Sequence, residues 1–424
     1  MRRLLLLVAV LVLTGCVPNK QFRKSVSVFP PVSGESPYTL AFVEFDDMGE
    51  FWDRTQLNRA LQAITEAKKE KGQVIVVTFV HGWKNNASDD SGNVWGFRDA
   101  LKDIESESQK RFDNTPVVGV YIGWRGAVTN VPFVKNLTFY DRRNAAIRIP
   151  GANITEALHQ IMRTTKQGAD DRSICVLIGH SFGGMVLERA LTQSMVSLIN
   201  DYEARNISKD APVPMPPSRD LVAPADLIAF VNSAAPATES KQFMGMLKVR
   251  GYHLKVDGKD EPFFLSITSK GDMATGLAMP IAQAPSKLTK SMREYELSNP
   301  EQHPEFPPGV KSQSTYYLHS TANSPAVQSH EILFAKTSDE LRRLRQEREV
   351  YACFPVHSQV YCIVAKQNRW NDTPYWAMQM PVEFVPDHGS IFRPEFRELL
   401  RQFLPAPPKP GERPRTLYKT QATQ

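Results

Sequence analysis

A serine between two glycines is the feature of this sequence that most directly suggests chemistry. The segment Gly179-His180-Ser181-Phe182-Gly183 has the form G-x-S-x-G, with an apolar run before it and an amphipathic run after it. A strand, a strained turn and a helix in this order lift a serine hydroxyl out of a sheet, and small flanking residues prevent clashes in the turn. The helix N-terminus also favours negative charge that develops on a reacting group. The pattern therefore predicts that Ser181 is a nucleophile, against the alternative of a loop that contains the motif by chance.

The elements around this serine alternate between strands and helices. Strands are predicted at 38–45, 74–80, 116–124, 173–179, 225–236, 262–272 and 376–385, and helices near 57–64, 94–111, 140–149, 154–167, 185–199 and 394–404. Uninterrupted apolar runs fit strands that are buried on both faces. The alternation predicts an α/β fold with a mostly parallel central sheet flanked by helices. Active sites in such folds form at the carboxyl ends of the strands.

Residues from about 73 to 275 and from about 375 to 404 resemble the α/β-hydrolase superfamily. The resemblance rests on the strand-elbow-helix unit around Ser181 and on the His81-Gly82-Trp83 segment, and it is to serine esterases and lipases and to a bacterial group with an HGW motif. It implies the α/β-hydrolase fold and cleavage of carboxylic esters through an acyl-enzyme, with no metal and no organic cofactor. It does not identify the ester.

The resemblance also implies an oxyanion hole made of two backbone N–H groups. One is expected from Phe182, the residue after the nucleophile. The second is expected from the loop that follows an earlier strand and opens with His-Gly. In this chain Trp83 is the expected donor and Lys84 the alternative, because the fuller HGGG form is missing. His81, just before the glycine, is expected to brace the loop.

The base is expected to be one of the nine histidines. His388 lies in the loop between the strand at 376–385 and the helix at 394–404, which is where superfamily members carry the catalytic histidine. His319 and His330 are the reserve candidates. His180 lies inside the elbow, where its side chain is expected to point away from Ser181.

The acid should orient the histidine and stabilise its imidazolium. Asp272 follows the strand at 262–272, the usual place of the acid in the superfamily. Glu239 is the alternative, because some lipases place the acid one strand earlier, and either residue could instead be an ordinary surface carboxylate. Asp387 is too close to His388 in the loop. With Asp272, the chain order Ser…Asp…His agrees with the superfamily.

Asp272 and His388 are 116 positions apart, which is long for an unstructured connection. An inserted subdomain is therefore predicted before the catalytic histidine, at about 281–374, within a hydrolase domain that spans 38–404. Inside the insertion, Cys353 and Cys362 flank a short turn and could form a disulfide across a hairpin. Residues 405–424 are rich in proline and are predicted to be disordered.

The first fifteen residues have the pattern of a signal peptide, with Arg2 and Arg3 before a short apolar run. Leu13-Thr14-Gly15-Cys16 resembles the bacterial lipobox, which implies cleavage before Cys16 and lipid attachment to its sulfur. The alternative is a plain signal peptide with a chance cysteine. The residue after the cysteine is not Asp, so the resemblance implies an outer-membrane lipoprotein that faces the periplasm. Residues 16–37 are predicted to be a tether.

The formal net charge of +6 is mild for 424 residues, and the basic residues alternate with acidic ones. This distribution argues against a nucleic-acid partner, and no metal-binding spacing such as CxxC or HExxH occurs. The expected partners are therefore a membrane, through the lipid on Cys16, and an ester substrate, and the sequence does not identify protein partners. The alternative function is a non-catalytic envelope lipoprotein that uses the hydrolase fold for binding or scaffolding.

Overall fold

The computed structural model describes residues 19–32, 37–127, 138–167, 171–207, 220–256, 259–287, 314–366, 372–404 and 416–419. The protein divides into two compact units. The first runs to Gln167 and includes Ser173–Ala190, and the second comprises Gly168–Arg172 and the chain from Leu191 onward. The protein belongs to the mixed α/β class, and its eight main strands are mostly parallel and flanked by helices.

The first unit holds five strands in the spatial order β1-β2-β4-β3-β5. They are β1 (Val28–Phe29), β2 (Thr39–Glu44), β3 (Ile75–Val80), β4 (Val117–Gly123) and β5 (Ile174–His180). The helices are α1 (Thr55–Lys71), α2 (Gly92–Arg111), α3 (Phe139–Arg148), α4 (Ala152–Thr165) and α5 (Phe182–Ile207), and the unit ends within α5. β1 is antiparallel to β2, whereas the other neighbours are parallel. The carboxyl ends of β3, β4 and β5 therefore meet at one edge.

Burial explains why these segments form strands and helices. Every residue of β3 and β4 is buried, which fits their continuous apolar runs, since strands covered on both faces of a sheet need apolar side chains on both faces. Helix α1 buries Leu57, Ala60 and Ile64 on one face, at the spacing of an amphipathic helix. Gly119 of β4 lies so close to Leu101 of α2 that a side chain there would clash with the leucine.

The second unit holds the parallel strands β7 (Leu227–Val231), β10 (Phe264–Ser269) and β14 (Tyr375–Met380), with β10 in the middle. Helix α6 (Ala237–Val249) follows β7, and α10 (Pro394–Arg401) follows β14. A π-helical turn (Ala274–Ala278) and α7 (Met279–Lys287) follow β10. The carboxyl ends of these three strands also meet at one edge.

Two antiparallel sheets complete the second unit. The predicted insertion contains β11 (His330–Ala335), β12 (Val350–Val356) and β13 (Gln359–Ala365), in the order β11-β13-β12, together with α8 (Ser314–Leu318) and α9 (Ser338–Glu347). The other sheet has the order β6-β15-β8-β9 and consists of β6 (Asp220–Val222), β8 (Tyr252–Val256), β9 (Lys259–Asp260) and β15 (Thr416–Lys419). The sequence analysis missed this second sheet.

The prediction of a tether over residues 16–37 is wrong for the part around β1. The backbone N–H groups of Phe22 and Arg23 each donate to the Glu44 carboxylate at 2.8 Å. The Arg23 guanidinium lies 4.2 Å from the centre of the Phe42 ring and forms an ion pair of 2.8 Å with Asp89. A buried carboxylate thus holds this segment on the first unit, and such a long-range partner cannot be recognised in a polar sequence.

The prediction of disorder over 405–424 is wrong at β15, which pairs with β6 and with β8. Leu417 is buried there. Residues 405–415 and 420–424 lie outside the described residues, as do the signal peptide and Cys16. Within the described ranges, no helix is long and apolar enough to span a membrane.

Cys353 and Cys362 lie opposite each other in the β12–β13 hairpin and are joined by a disulfide. The hairpin register itself brings their Cα atoms to 4.1 Å. The third cysteine in the described part of the chain, Cys175, is buried in β5 and is not in a disulfide.

Replacing both Cys353 and Cys362 by alanine should lower the free energy of unfolding of the second unit by about 2–3 kcal/mol, the entropy of closing a loop of this length. Urea unfolding with and without dithiothreitol would measure it. Wild type should lose stability on reduction, and the double variant should not respond. A wild type that is equally stable in both conditions would contradict the prediction.

Candidate active site

The candidate residues of the first unit lie at a sharp turn at the carboxyl end of β5. Ser181 has a φ of +58°, a left-handed conformation that costs a non-glycine residue about 1–2 kcal/mol. A Cβ at Gly179 would lie 2.6 Å from the Gly183 carbonyl oxygen, and a Cβ at Gly183 would clash with the Val80 and His81 carbonyl oxygens. Both glycines of the motif are therefore required by close backbone approach, and together they hold the serine in its strained conformation.

The loop after β3 packs against this turn. A Cβ at Gly82 would lie 2.6 Å from the Ser181 Cβ and 2.7 Å from the His180 carbonyl oxygen. The backbone N–H groups of Trp83 and Phe182 donate no hydrogen bond to any described residue. Two unoccupied donors thus belong to the two segments that meet at Ser181.

The alternative donor, Lys84, is already occupied. Its backbone N–H donates to the Gly126 carbonyl oxygen at 2.8 Å, and its φ is +71°. Of the two expected donors in this loop, the hydrogen bond therefore leaves Trp83 with an N–H that is available to a ligand.

His81 braces the same loop. Its Nε2 accepts from the Trp124 backbone N–H at 3.0 Å, its Nδ1 lies 2.9 Å from the Gly82 carbonyl oxygen, and the Trp124 indole N–H donates back to the His81 carbonyl oxygen at 2.8 Å. The two rings stack with an angle of 3° between their planes. Burial lowers the pKa of His81 to about 4, which its two hydrogen bonds do not offset. His81 is therefore neutral at pH 7, with Nδ1 protonated.

The candidate residues of the second unit form a carboxylate–imidazole pair. His388 Nδ1 lies 2.9 Å from Asp272 Oδ1. The His388 side chain is about one quarter exposed, whereas the Asp272 side chain is fully buried. Because an ionised carboxylate only accepts hydrogen bonds, Nδ1 carries the proton and Nε2 is left as the basic nitrogen.

Asp272 is held as the ionised partner. Burial of its carboxyl would raise its pKa, but the hydrogen bond and charge of His388 and hydrogen bonds from Thr275 outweigh burial and keep the pKa below its ordinary value. Its Oδ1 also accepts from the backbone N–H groups of Ala274 and Thr275 at 2.9 and 3.2 Å. The acid therefore caps the π-helical turn that follows it.

Asn232 fixes the loop that carries His388, and the sequence analysis missed it. Its Nδ2 donates to the His388 carbonyl oxygen at 3.1 Å, and its Oδ1 accepts from the Ser269 backbone N–H at 3.0 Å. The Ser269 hydroxyl donates to the Val385 carbonyl oxygen. A Cβ at Gly271 would clash with the Pro386 backbone, so the loop lies tightly on the end of β10. The sequence feature that could have indicated this role is the position of Asn232 directly after the apolar run of β7, at the carboxyl edge of the sheet.

A polar chain from the insertion reaches the acid, and it was also missed. The Thr275 hydroxyl donates to Asp272 Oδ2 and accepts from Asn323 Nδ2 at 3.1 Å. Gln379 in turn donates to Asn323 Oδ1 at 2.9 Å. No pattern in the sequence connects these residues, because Asn323 lies 48 positions from Thr275.

The other candidates lie elsewhere. Glu239 is in the first turn of α6, and Asp387 accepts hydrogen bonds from the backbone of Gly389 and Ser390, so neither is the carboxylate at His388 Nδ1. His330 stacks on Trp376 with ring centres 3.6 Å apart, and burial lowers its pKa to about 3. His319 is part of the chain between α8 and β11, where its carbonyl oxygen accepts from the Ala237 N–H.

The structure therefore groups the predicted residues in two sets. Ser181, Phe182 and Trp83 meet in the first unit, and Asp272 and His388 pair in the second. Among the described residues, no group of three or more His, Cys, Asp or Glu side chains could hold a metal ion. No family model, no curated protein and no solved structure matches this chain.

Gly82→Ala should destabilise the first unit by about 1–3 kcal/mol, since the added methyl group meets rigid atoms of Ser181 and His180. Chemical unfolding would measure the loss. Gly92→Ala is the matched control, because a Cβ there has no neighbour within 4 Å, and it should unfold like wild type. Equal stability of the two variants would contradict the close approach of the loop to the turn.

His81 should make folding stability depend on pH. Its pKa is about 4 in the folded chain against 6.5 as the ordinary value, so the unfolded chain takes up the proton first as the pH falls. The neutral imidazole therefore contributes fully above pH 6.5, and about 3 kcal/mol is lost between pH 6.5 and 4. The stability difference between wild type and His81→Gln, measured by urea unfolding, should shrink over this range. A difference that stays constant from pH 7 to 4 would contradict this assignment.

Proposed function

We propose that this protein is a serine hydrolase with an α/β-hydrolase fold that cleaves carboxylic esters. The observation that carries the proposal is the turn at Ser181, where a left-handed serine at the start of a helix has two unoccupied backbone N–H donors beside it. A strained residue with unused donors is expected where the strain serves a reaction. The paired Asp272 and His388 supply the second requirement, an oriented base.

In the proposed reaction, the Ser181 hydroxyl oxygen attacks the ester carbonyl carbon while His388 Nε2 takes the hydroxyl proton. The carbonyl oxygen becomes an oxyanion that accepts hydrogen bonds from the Trp83 and Phe182 N–H groups. When the tetrahedral intermediate collapses, the alcohol leaves with the proton from His388. Water then attacks the acyl-enzyme by the same steps, which releases the acid and restores Ser181.

The electrostatics support these roles. The N-terminus of α5, at Phe182, faces the position where negative charge develops and stabilises it through its free N–H groups. Asp272 stays ionised at neutral pH because its pKa is lowered, so it can stabilise the imidazolium that forms when His388 takes the proton. Its four hydrogen bonds leave little freedom to rotate away.

We also propose that the protein is a lipoprotein, anchored to a membrane through Cys16 and exposed to the periplasm from the outer membrane. The support is the lipobox-like sequence that ends at Cys16. An oxidising compartment would suit the disulfide between Cys353 and Cys362.

Fluorophosphonate labelling of the chain made without residues 1–16 tests the hydrolase proposal. Wild type should label, Ser181→Ala should not, and His388→Ala should label at least about 1000-fold more slowly, because the serine loses its base. Asp272→Asn should slow labelling strongly, whereas Glu239→Gln should label like wild type, since Glu239 is not at His388.

The rate of labelling should be measured beside the circular dichroism spectrum of each variant. Absence of labelling in a folded wild type would overturn the hydrolase proposal and favour the non-catalytic binding role. If Glu239→Gln were slowed and Asp272→Asn were not, the acid would be wrongly assigned.

A further inference from the structure

The helical segment after Asp272 exposes a stripe of large apolar side chains. Met273, Leu277 and Ile281 are 63%, 52% and 64% exposed. They are spaced four residues apart through the π-helical turn and the start of α7, so they lie along one side of the helix. Scattered exposed apolar residues are normal, but a contiguous apolar stripe marks a surface that contacts something else.

The opposite side of the same segment is buried and partly polar. Thr275, Met279 and Gln283 are 2%, 4% and 5% exposed, and they are offset by two residues from the exposed stripe. The Thr275 hydroxyl donates to the Asp272 carboxylate. The usual amphipathic pattern is therefore partly inverted, because two polar side chains face the protein beside Met279 while the large apolar side chains of the stripe face outward. Packing within the second unit accounts for the residues on the inner side of the helix. It does not account for the large apolar residues on the outer side.

A fourth apolar side chain, from another part of the chain, extends the exposed stripe. Val382, 44% exposed, lies next to the start of the segment, since a Cβ at Gly271 would be 3.3 Å from the Val382 Cγ1. Between Met273 and Ser286 the sequence has no charged residue. Protein interfaces contain about one hydrogen bond per 100–200 Å², whereas the outward side chains of this stripe offer no hydrogen-bond donor. This composition favours contact with lipid over contact with a protein partner.

Lysine residues flank the stripe in the sequence. Lys270 is exposed just before Asp272, and Lys287 is the last residue of α7. An apolar helix side bordered by basic residues is the pattern of helices that lie in the interface of a bilayer, where lysines reach the anionic headgroups. The lipid anchor predicted at Cys16 would hold the chain beside such a surface.

We propose that the face formed by Met273, Leu277, Ile281 and Val382, called here the apolar face, docks on an anionic lipid bilayer. Docking places the helix capped by Asp272 at the membrane surface. The proposal does not depend on the hydrolase reaction, because binding to lipid is measured without substrate.

The test is flotation of the chain that begins at residue 17 with two kinds of vesicles, one of phosphatidylcholine alone and one of equal parts phosphatidylcholine and phosphatidylglycerol. This chain keeps every described residue and lacks only the anchor. Wild type should float with the anionic vesicles. Leu277→Gln with Ile281→Gln should weaken binding by about tenfold or more for each side chain removed from the lipid. Lys270→Gln should weaken binding to the anionic vesicles only.

Val249→Gln is the matched control, because Val249 is 68% exposed at the end of α6 and lies outside the apolar face. It should bind vesicles like wild type. Circular dichroism would show that each variant is folded. The proposal is overturned if wild type floats with neither vesicle, or if the double Gln variant binds as tightly as wild type. A wild type that does not float and forms a dimer, lost in the double Gln variant, would assign the face to a second copy instead.

Discussion

The close approach of two backbone segments at Ser181 is the constraint on which the geometry around this serine depends. The loop after β3 and the turn after β5 come together without room for a side chain at Gly82, Gly179 or Gly183. Because the backbones are this close, the N–H groups of Trp83 and Phe182 belong to adjoining segments, and both are left without a partner among the described residues. The left-handed conformation of Ser181 is the local cost of this geometry, and neutral His81 stabilises it by bracing the loop from behind.

In the second unit, the geometry of the candidate residues depends in the same way on Asp272. One buried carboxylate accepts from the His388 imidazole, from two backbone N–H groups and from the Thr275 hydroxyl. A buried charge is tolerated only when it is paired and hydrogen-bonded, so every one of these donors contributes to keeping Asp272 ionised. The loop of His388 is fixed separately, by Asn232 and by the absence of a side chain at Gly271. Orientation of the base, which follows β14, thus depends on partners at the ends of two other strands, β7 and β10.

The sequence predicted what depends on local patterns. Long apolar runs predicted the buried strands β3, β4, β5 and β10, and the spacing of glycines around Ser181 predicted a turn between a strand and a helix. Strand ends were less certain: β14 stops at Met380, before a proline that cannot donate to a neighbouring strand. The missed features all depend on distant partners. Arg23 is buried because its backbone N–H donates to Glu44 and its guanidinium forms an ion pair with Asp89. Strand β15 forms within a proline-rich tail because it pairs with β6 on one side and β8 on the other.

In the helical segment after Asp272, a hydrogen bond to the acid determines which side chains are buried and which are exposed. Thr275 faces inward because its hydroxyl is needed at the carboxylate, and this requirement fixes the rotation of the whole helical segment. Once Thr275 is inward, Met279 and Gln283 must follow it, and Met273, Leu277 and Ile281 must face outward. Rotating the helix to bury its apolar side would remove a donor from the acid. The orientation of the apolar face is therefore a consequence of how Asp272 is held, and any surface that covers this face lies against the helix that the acid caps.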